Sequence, residues 1–69
     1  MKLSARNQFE GKVVEVKKGI TTTHVRVDIG GGHVVTASIT NESAEELGLA
    51  NGKNATVIIK ASNVMVGVD

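Results

Sequence analysis

The sequence predicts an all-β domain interrupted by one short helix, in the order β-β-β-α-β-β. Three observations carry that expectation. Residues 21–29 alternate apolar residues or threonine with polar ones, the two-residue period of a strand with one buried face. Gly30, Gly31 and Gly32 follow directly and lead into a second apolar run, which is a hairpin pattern. The stretch Thr40–Leu47, TNESAEEL, breaks the alternation and is closed by Gly48, as a short helix ending in a left-handed glycine would be.

Taken in order, Gln8–Lys18 reads as the first strand, ended by Gly19. Val13 and Val14 adjoin within it, which breaks strict alternation and predicts a bulge or burial on both faces. In the second strand, Thr21–Ile29, one face carries Thr21, Thr23, Val25, Val27 and Ile29, and the other Thr22, His24, Arg26 and Asp28. The third strand is His33–Ile39. With Gly30-Gly31 as a two-residue turn, His33 falls opposite Asp28, and His24 lies four positions further on, about 13 Å away at the usual strand rise. The two histidines therefore read as strand-surface residues, not a metal pair. The glycines do not read as a phosphate loop, because no Lys-Ser/Thr pair and no helix follow them.

Within the helix, Ser43 and Glu46 have capping-box spacing, and Thr40 and Ser43 are both candidate N-caps. After Leu49 and the turn-like ANGKN come two further β runs, Ala55–Lys60 and Asn63–Val68, with Lys60-Ala61-Ser62 as the turn between them. In the last run Val64, Val66 and Val68 alternate around Met65. Five strands with a helix between the third and fourth is the order of the OB-fold, a five-stranded barrel.

Composition narrows the function. A chain of 69 residues is expected to be one domain, residues 1–69, that buries only about 60% of the surface its unfolded form exposes. Association is the expected remedy. With no cysteine there is no disulfide framework, thiol catalysis or cysteine-based zinc site, and a reducing, cytoplasmic setting is expected. No stretch approaches the roughly 20 apolar residues of a membrane span, and Met1–Gln8 lacks the apolar region of a signal peptide, so no membrane partner is expected. Eight basic residues against seven acidic ones, and Phe9 as the single aromatic, argue against nucleic acid, which small barrels bind by stacking bases on aromatic side chains. No histidine adjoins a plausible nucleophile and no elbow motif is present, so no enzyme is expected.

Three polar stretches remain: Ser4-Ala5-Arg6 before the first strand, Thr40-Asn41-Glu42-Ser43 at the helix start, and Lys60-Ala61-Ser62. Each has a purely structural reading, as a solvated arm, a cap and a turn. Together they also contain what a tetrahedral oxyanion needs. Arg6 and Lys60 offset its charge, the hydroxyls of Ser4, Thr40 and Ser43 donate hydrogen bonds, and the helix start adds free N–H groups.

The run SARNQFEGKVVEVKKG, followed by ASITNESAEELGL and VIIKASNVMV, closely resembles the molbindins, or Mop domains, and the related molybdate-binding domains of bacterial regulators and importer ATPases. The resemblance covers essentially the whole chain, and Ser-Ala-Arg-Asn-Gln is its most specific part. It implies an OB-like fold, cytoplasmic binding of molybdate and tungstate with no organic cofactor, and a homo-hexamer built as a trimer of dimers. Carried over, Ser4, Ala5, Arg6, Lys60 and Ala61 contact the oxyanion, joined by Thr40 and Ser43 from a neighbouring subunit. Gly19 and Thr22 are candidates for a second type of site. The expected role is storage or buffering. The alternatives are a nucleic-acid-binding OB module and a regulatory molybdate-sensing domain, the latter disfavoured because no transporter or DNA-binding segment accompanies it.

Overall fold

The computed structural model describes all 69 residues, Met1–Asp69. The chain forms β1 (Asn7–Lys18), β2 (Thr22–Gly30), β3 (His33–Thr40), a helix α1 (Asn41–Leu47) and β4 (Asn54–Ile59), followed by a single 3-10 turn over Ala61–Asn63. The strands make one antiparallel sheet in the order β3-β2-β1-β4. Strand β1 is the centre of this curled sheet, pairing with β2 along its second half and with β4 along its first.

Two features let β1 serve both neighbours. The register against β2 shifts between Val13 and Glu15, so the adjoining valines mark a bulge, as the broken alternation implied. Bulges bend a strand and raise its local twist. Gly11 supplies the second feature. A Cβ there would lie 2.4 Å from the Asp28 carbonyl oxygen, so only glycine lets β2 approach so closely.

The hairpin between β2 and β3 turns on Gly31 and Gly32, with φ of 63° and 82°, the two positive values that a tight primed turn requires. The pairing is therefore Gly30 with His33 and Asp28 with Val34, one step from the expected register. The side chain of Asp28 instead accepts the Gly30 N–H at 2.8 Å. His24 pairs with Lys17 and Ser38. Both histidines are exposed, and no group of His, Asp or Glu is placed to hold a metal.

The helix is capped by Thr40, whose Oγ1 accepts the Ser43 N–H at 3.1 Å, and it ends at Gly48 in the left-handed region. Ser43 sits inside the helix, so the expected Ser43–Glu46 box is not the cap. The reason is positional: Thr40 has the extended backbone of an N-cap, φ −66° and ψ 152°, one turn earlier.

The expected fifth strand, Asn63–Val68, is not a strand here. Beyond the 3-10 turn the tail has no regular structure. Val66 and Val68 are about nine-tenths exposed. The two outer strands, β3 and β4, close on nothing, and the sheet is an open half-barrel, not a closed one.

Five residues are buried: Val13, Thr23, Val25, Val27 and Ala44. The inner faces of β2 and β3 hold the alternating residues expected of them, Thr23, Val25 and Val27 being the most deeply placed. Around them lies a groove of about 820 Å³, lined by Val25, Val27, Ile39, Leu49, Ala55 and Val57 among others. The accessible surface is 5535 Å². A compact monomer of 7.2 kDa would show about 4,100 Å², so the chain exposes roughly 1,400 Å² more than its mass warrants.

Candidate functional site

The pairing of β1 with β4 decides where two of the three polar stretches meet. Asn7 pairs with Ile59, and the Asn7 side chain donates to the Ile59 carbonyl at 3.1 Å. Ser4-Ala5-Arg6 therefore enters this strand pair beside the point at which Lys60-Ala61 leaves it. Gln8 Nε2 donates back to the Ala5 carbonyl at 2.8 Å, which folds the arm against the start of β1. Residues 61–63 turn on bonds from the Asn63 N–H to the Lys60 carbonyl, 2.9 Å, and from the Val64 N–H to the Ala61 carbonyl, 3.2 Å.

Arg6 and Lys60 are both exposed. Neither is engaged in an ion pair, since the single salt bridge joins Lys18 to Glu45 at 3.3 Å. Two cations thus lie at one end of the sheet with no internal counter-charge. The Ser4 hydroxyl and the half-buried Ala5 backbone lie in the same segment.

The third stretch lies at the opposite end. Thr40 pairs with Thr22 at the start of β2, next to the end of β1, where Lys18 pairs with Thr23. There Thr40 Oγ1 donates to Ser43 Oγ at 2.9 Å while accepting the Ser43 N–H. The Ser43 hydroxyl therefore keeps its own proton to offer. Gly19 and Thr22 belong to this end as well: the Gly19 N–H donates to the Thr22 carbonyl at 2.8 Å, and a Cβ on Gly19 would meet that oxygen at 2.9 Å.

The structure thus divides the predicted residues into two groups separated by β1. Ser4, Ala5, Arg6, Lys60 and Ala61 are together at one end; Thr40, Ser43, Gly19 and Thr22 are together at the other. A strand of 12 residues runs to about 40 Å at the usual rise, comparable with the molecule's longest dimension of 36 Å. One chain does not bring Arg6 and Ser43 to a common ion.

Two residues at these ends stood in the polar runs of the sequence without being given a role. Asn7 joins the first two stretches. Asn41 does similar work at the other end: its Oδ1 accepts the Thr23 hydroxyl at 2.7 Å, and its Nδ2 donates to the carbonyls of Gly19 and Ile20 at 3.1 Å each. Thr23 is only 2% exposed, so this contact is well fixed. Asparagine carries both a donor and an acceptor, and its position beside a cap was the available signal.

The sequence matches the TOBE domain over residues 3–66. The chain belongs to this family. At 49% identity over 69 residues, covering all of both chains, this TOBE domain is similar to a protein of Haemophilus influenzae named probable molybdenum-pterin-binding protein. In three dimensions it resembles MopII from Clostridium pasteurianum in an apo form, with TM-score 0.92 and 43% identity, over 97% of this chain and all of the other. The molybdate-bound form of ModG, described as a cytoplasmic molybdate-binding protein, superimposes with TM-score 0.95 at 40% identity, and the whole of this chain covers 49% of that one. The family expectation drawn from SARNQ therefore holds, and within the TOBE family the chain falls among Mop proteins. These relatives bear the names of binding proteins. No helix of this domain is long and apolar enough to cross a membrane.

Proposed function

We propose that this protein binds molybdate, and tungstate as a second tetrahedral dianion, at sites shared between copies of the chain, and that it stores or buffers the ion in the cytoplasm without catalysis or an organic cofactor. The observation that carries the reading is the split of the polar residues. Ser4, Ala5, Arg6, Lys60 and Ala61 offer charge and donors at one end of the sheet, while Thr40 and Ser43 offer hydroxyls at the other. A second chain, placed end to end with the first, completes the set. Cations with no internal partner suit a dianion, because charged hydrogen bonds are about twice as strong as neutral ones. Gly19 and Thr22 form the proposed second site.

The excess surface supports assembly. About 1,400 Å² beyond the monomer norm is more than the ~800 Å² that each partner buries in a standard interface. The tail Asn63–Val68 has the alternation of a strand, no sheet partner in its own chain and apolar side chains in solvent. The groove on the inner face of the sheet, between β3 and β4, has apolar walls and open sheet edges on either side. Seating the tail of one copy on the sheet of another gives the fifth strand of an OB-like barrel, in a hexamer of three dimers made from a single Mop domain spanning residues 1–69. The names of the relatives, molybdenum-pterin-binding and molybdate-binding, support the ligand.

Native mass spectrometry with and without molybdate tests the reading. Six chains are expected, with ions added to the assembly and none to a monomer. A stable, folded monomer at micromolar concentration overturns it. A parallel titration with an oligonucleotide should show no binding; saturable binding there, with none of molybdate, favours the nucleic-acid alternative.

A further inference from the structure

The loop between β1 and β2, residues 19–21, is held entirely from one side. Asn41 takes the Gly19 and Ile20 carbonyls with its side-chain amide, and its own N–H donates to the Thr21 carbonyl at 3.1 Å. The Thr22 carbonyl takes the Gly19 N–H. Every carbonyl from 19 to 22 is thereby drawn inward or along the loop, while the amides of Ile20 and Thr21 find no acceptor in the chain. Beneath this arrangement the Thr23 hydroxyl, 2% exposed, fixes the Asn41 carbonyl oxygen at 2.7 Å. Asn41 is also covalently next to Thr40.

We propose that Asn41 is a positioning residue that couples the 19–22 loop to the Thr40–Ser43 segment, so that an oxyanion held by Thr40 and Ser43 orders the loop. The inference rests on the reading of Thr40 and Ser43 given under Proposed function. Its basis is mechanical. A shift of the backbone at residues 40–41 either carries the loop with it or breaks the bonds from Asn41 to Gly19, Ile20 and Thr21. Asparagine is suited to this link because one planar group accepts from Thr23 and donates twice to the loop; leucine has the volume and neither function, and aspartate has the acceptor without the donors.

The test is amide hydrogen exchange at Gly19 and at residue 41, whose N–H groups donate to the Thr22 and Thr21 carbonyls, in the assembled protein, with sodium molybdate as the probe at a concentration that saturates the wild type and Asn41→Leu. In the wild type, molybdate should slow these amides at least tenfold. In Asn41→Leu, at saturation, the slowing should fall below threefold. Arg6→Ala, at a molybdate concentration just sufficient to saturate the wild type, should show slowing reduced in step with its lower occupancy, since the ion acts through the site that contains Arg6. Wild-type slowing in Asn41→Leu, or in Arg6→Ala, overturns the coupling, as does an unprotected loop in wild type that binds molybdate. If Asn41→Leu does not assemble, Thr23→Val decides: slowing reduced at least threefold supports the coupling, and slowing equal to wild type overturns it. Wild type that binds no molybdate at all refutes the underlying reading, and the coupling with it.

Discussion

The two ends of the sheet are built differently. At the Arg6 end, order comes from the strand pair Asn7–Ile59 and two single side-chain bonds, from Asn7 and Gln8 to backbone carbonyls, and the charged side chains stand free. At the Ser43 end, Thr40, Ser43, Asn41 and Thr23 are cross-linked to one another and to the 19–22 loop. The first end has charge without a scaffold around it; the second has a scaffold of cross-linked hydroxyl and amide groups, with Lys18 paired to Glu45. Neither end is a complete anion site. On the proposed reading, a cross-linked set of donors on one chain facing two unpaired cations on another would make assembly a condition of binding.

The largest expected effect comes from removing the contact that would join the ends. Val66→Asp with Val68→Asp places two charges on the exposed tail. Each buried valine is worth about 1.5–3 kcal/mol, and six copies of the lesion should leave no hexamer by sedimentation at micromolar concentration. An intact hexamer would show that the tail lies outside the interface. The next effect strikes the Arg6 end alone. Arg6→Ala in a correctly assembled protein should weaken molybdate about ten- to 150-fold by calorimetry, since a hydrogen bond to a charged group is worth roughly 1.5–3 kcal/mol. Unchanged affinity removes Arg6 from the site.

At the Ser43 end the two hydroxyls should separate. Thr40→Ala removes the cap and should cost about 0.5–2 kcal/mol of stability, read from the thermal midpoint. Ser43→Ala leaves the cap in place, so its thermal midpoint should move little while affinity falls. If Ser43→Ala changes neither, Ser43 is an ordinary helix residue. The smallest effect on affinity is a control. Gly48→Ala, at φ +63°, should cost about 1–2 kcal/mol, the penalty of a side chain in the left-handed region, and leave affinity per assembled site unchanged. A loss of affinity there would mean that the Ser43 end is shaped by the whole helix and not by its first turn.

The sequence made the strands, the hairpin and the helix legible because each has a local cause: alternation in 21–29, a glycine run, a threonine cap and Gly48. The Val13–Val14 bulge was visible as a break in period. The Gly30-Gly31 turn was misplaced by one residue because three successive glycines allow more than one register, and Ser43 was favoured as a capping-box residue because spacing alone cannot see the backbone of Thr40. The fifth strand was invisible as an error for a deeper reason. Val64, Val66 and Val68 carry the pattern of a strand, but a strand needs a partner, and in this chain the tail pairs with neither open edge of the sheet. The proposed site divides the same way. Its residue types were readable in SARNQ, TNES and KAS, whereas their separation across β1 follows from sheet order, which no local pattern records.

In the proposed site one ion takes its charge from one chain and its hydroxyl from another, and a mixing experiment measures this. Arg6→Ala chains and Ser43→Ala chains, co-assembled in equal amounts with mixing verified by native mass spectrometry, should regain tight molybdate binding at about a quarter of the sites, those in which an intact Arg6 faces an intact Ser43 across a subunit boundary. Neither variant alone should show it. Mixed hexamers that bind no better than the two variants apart would contradict the account and return both residues to separate, single-chain roles.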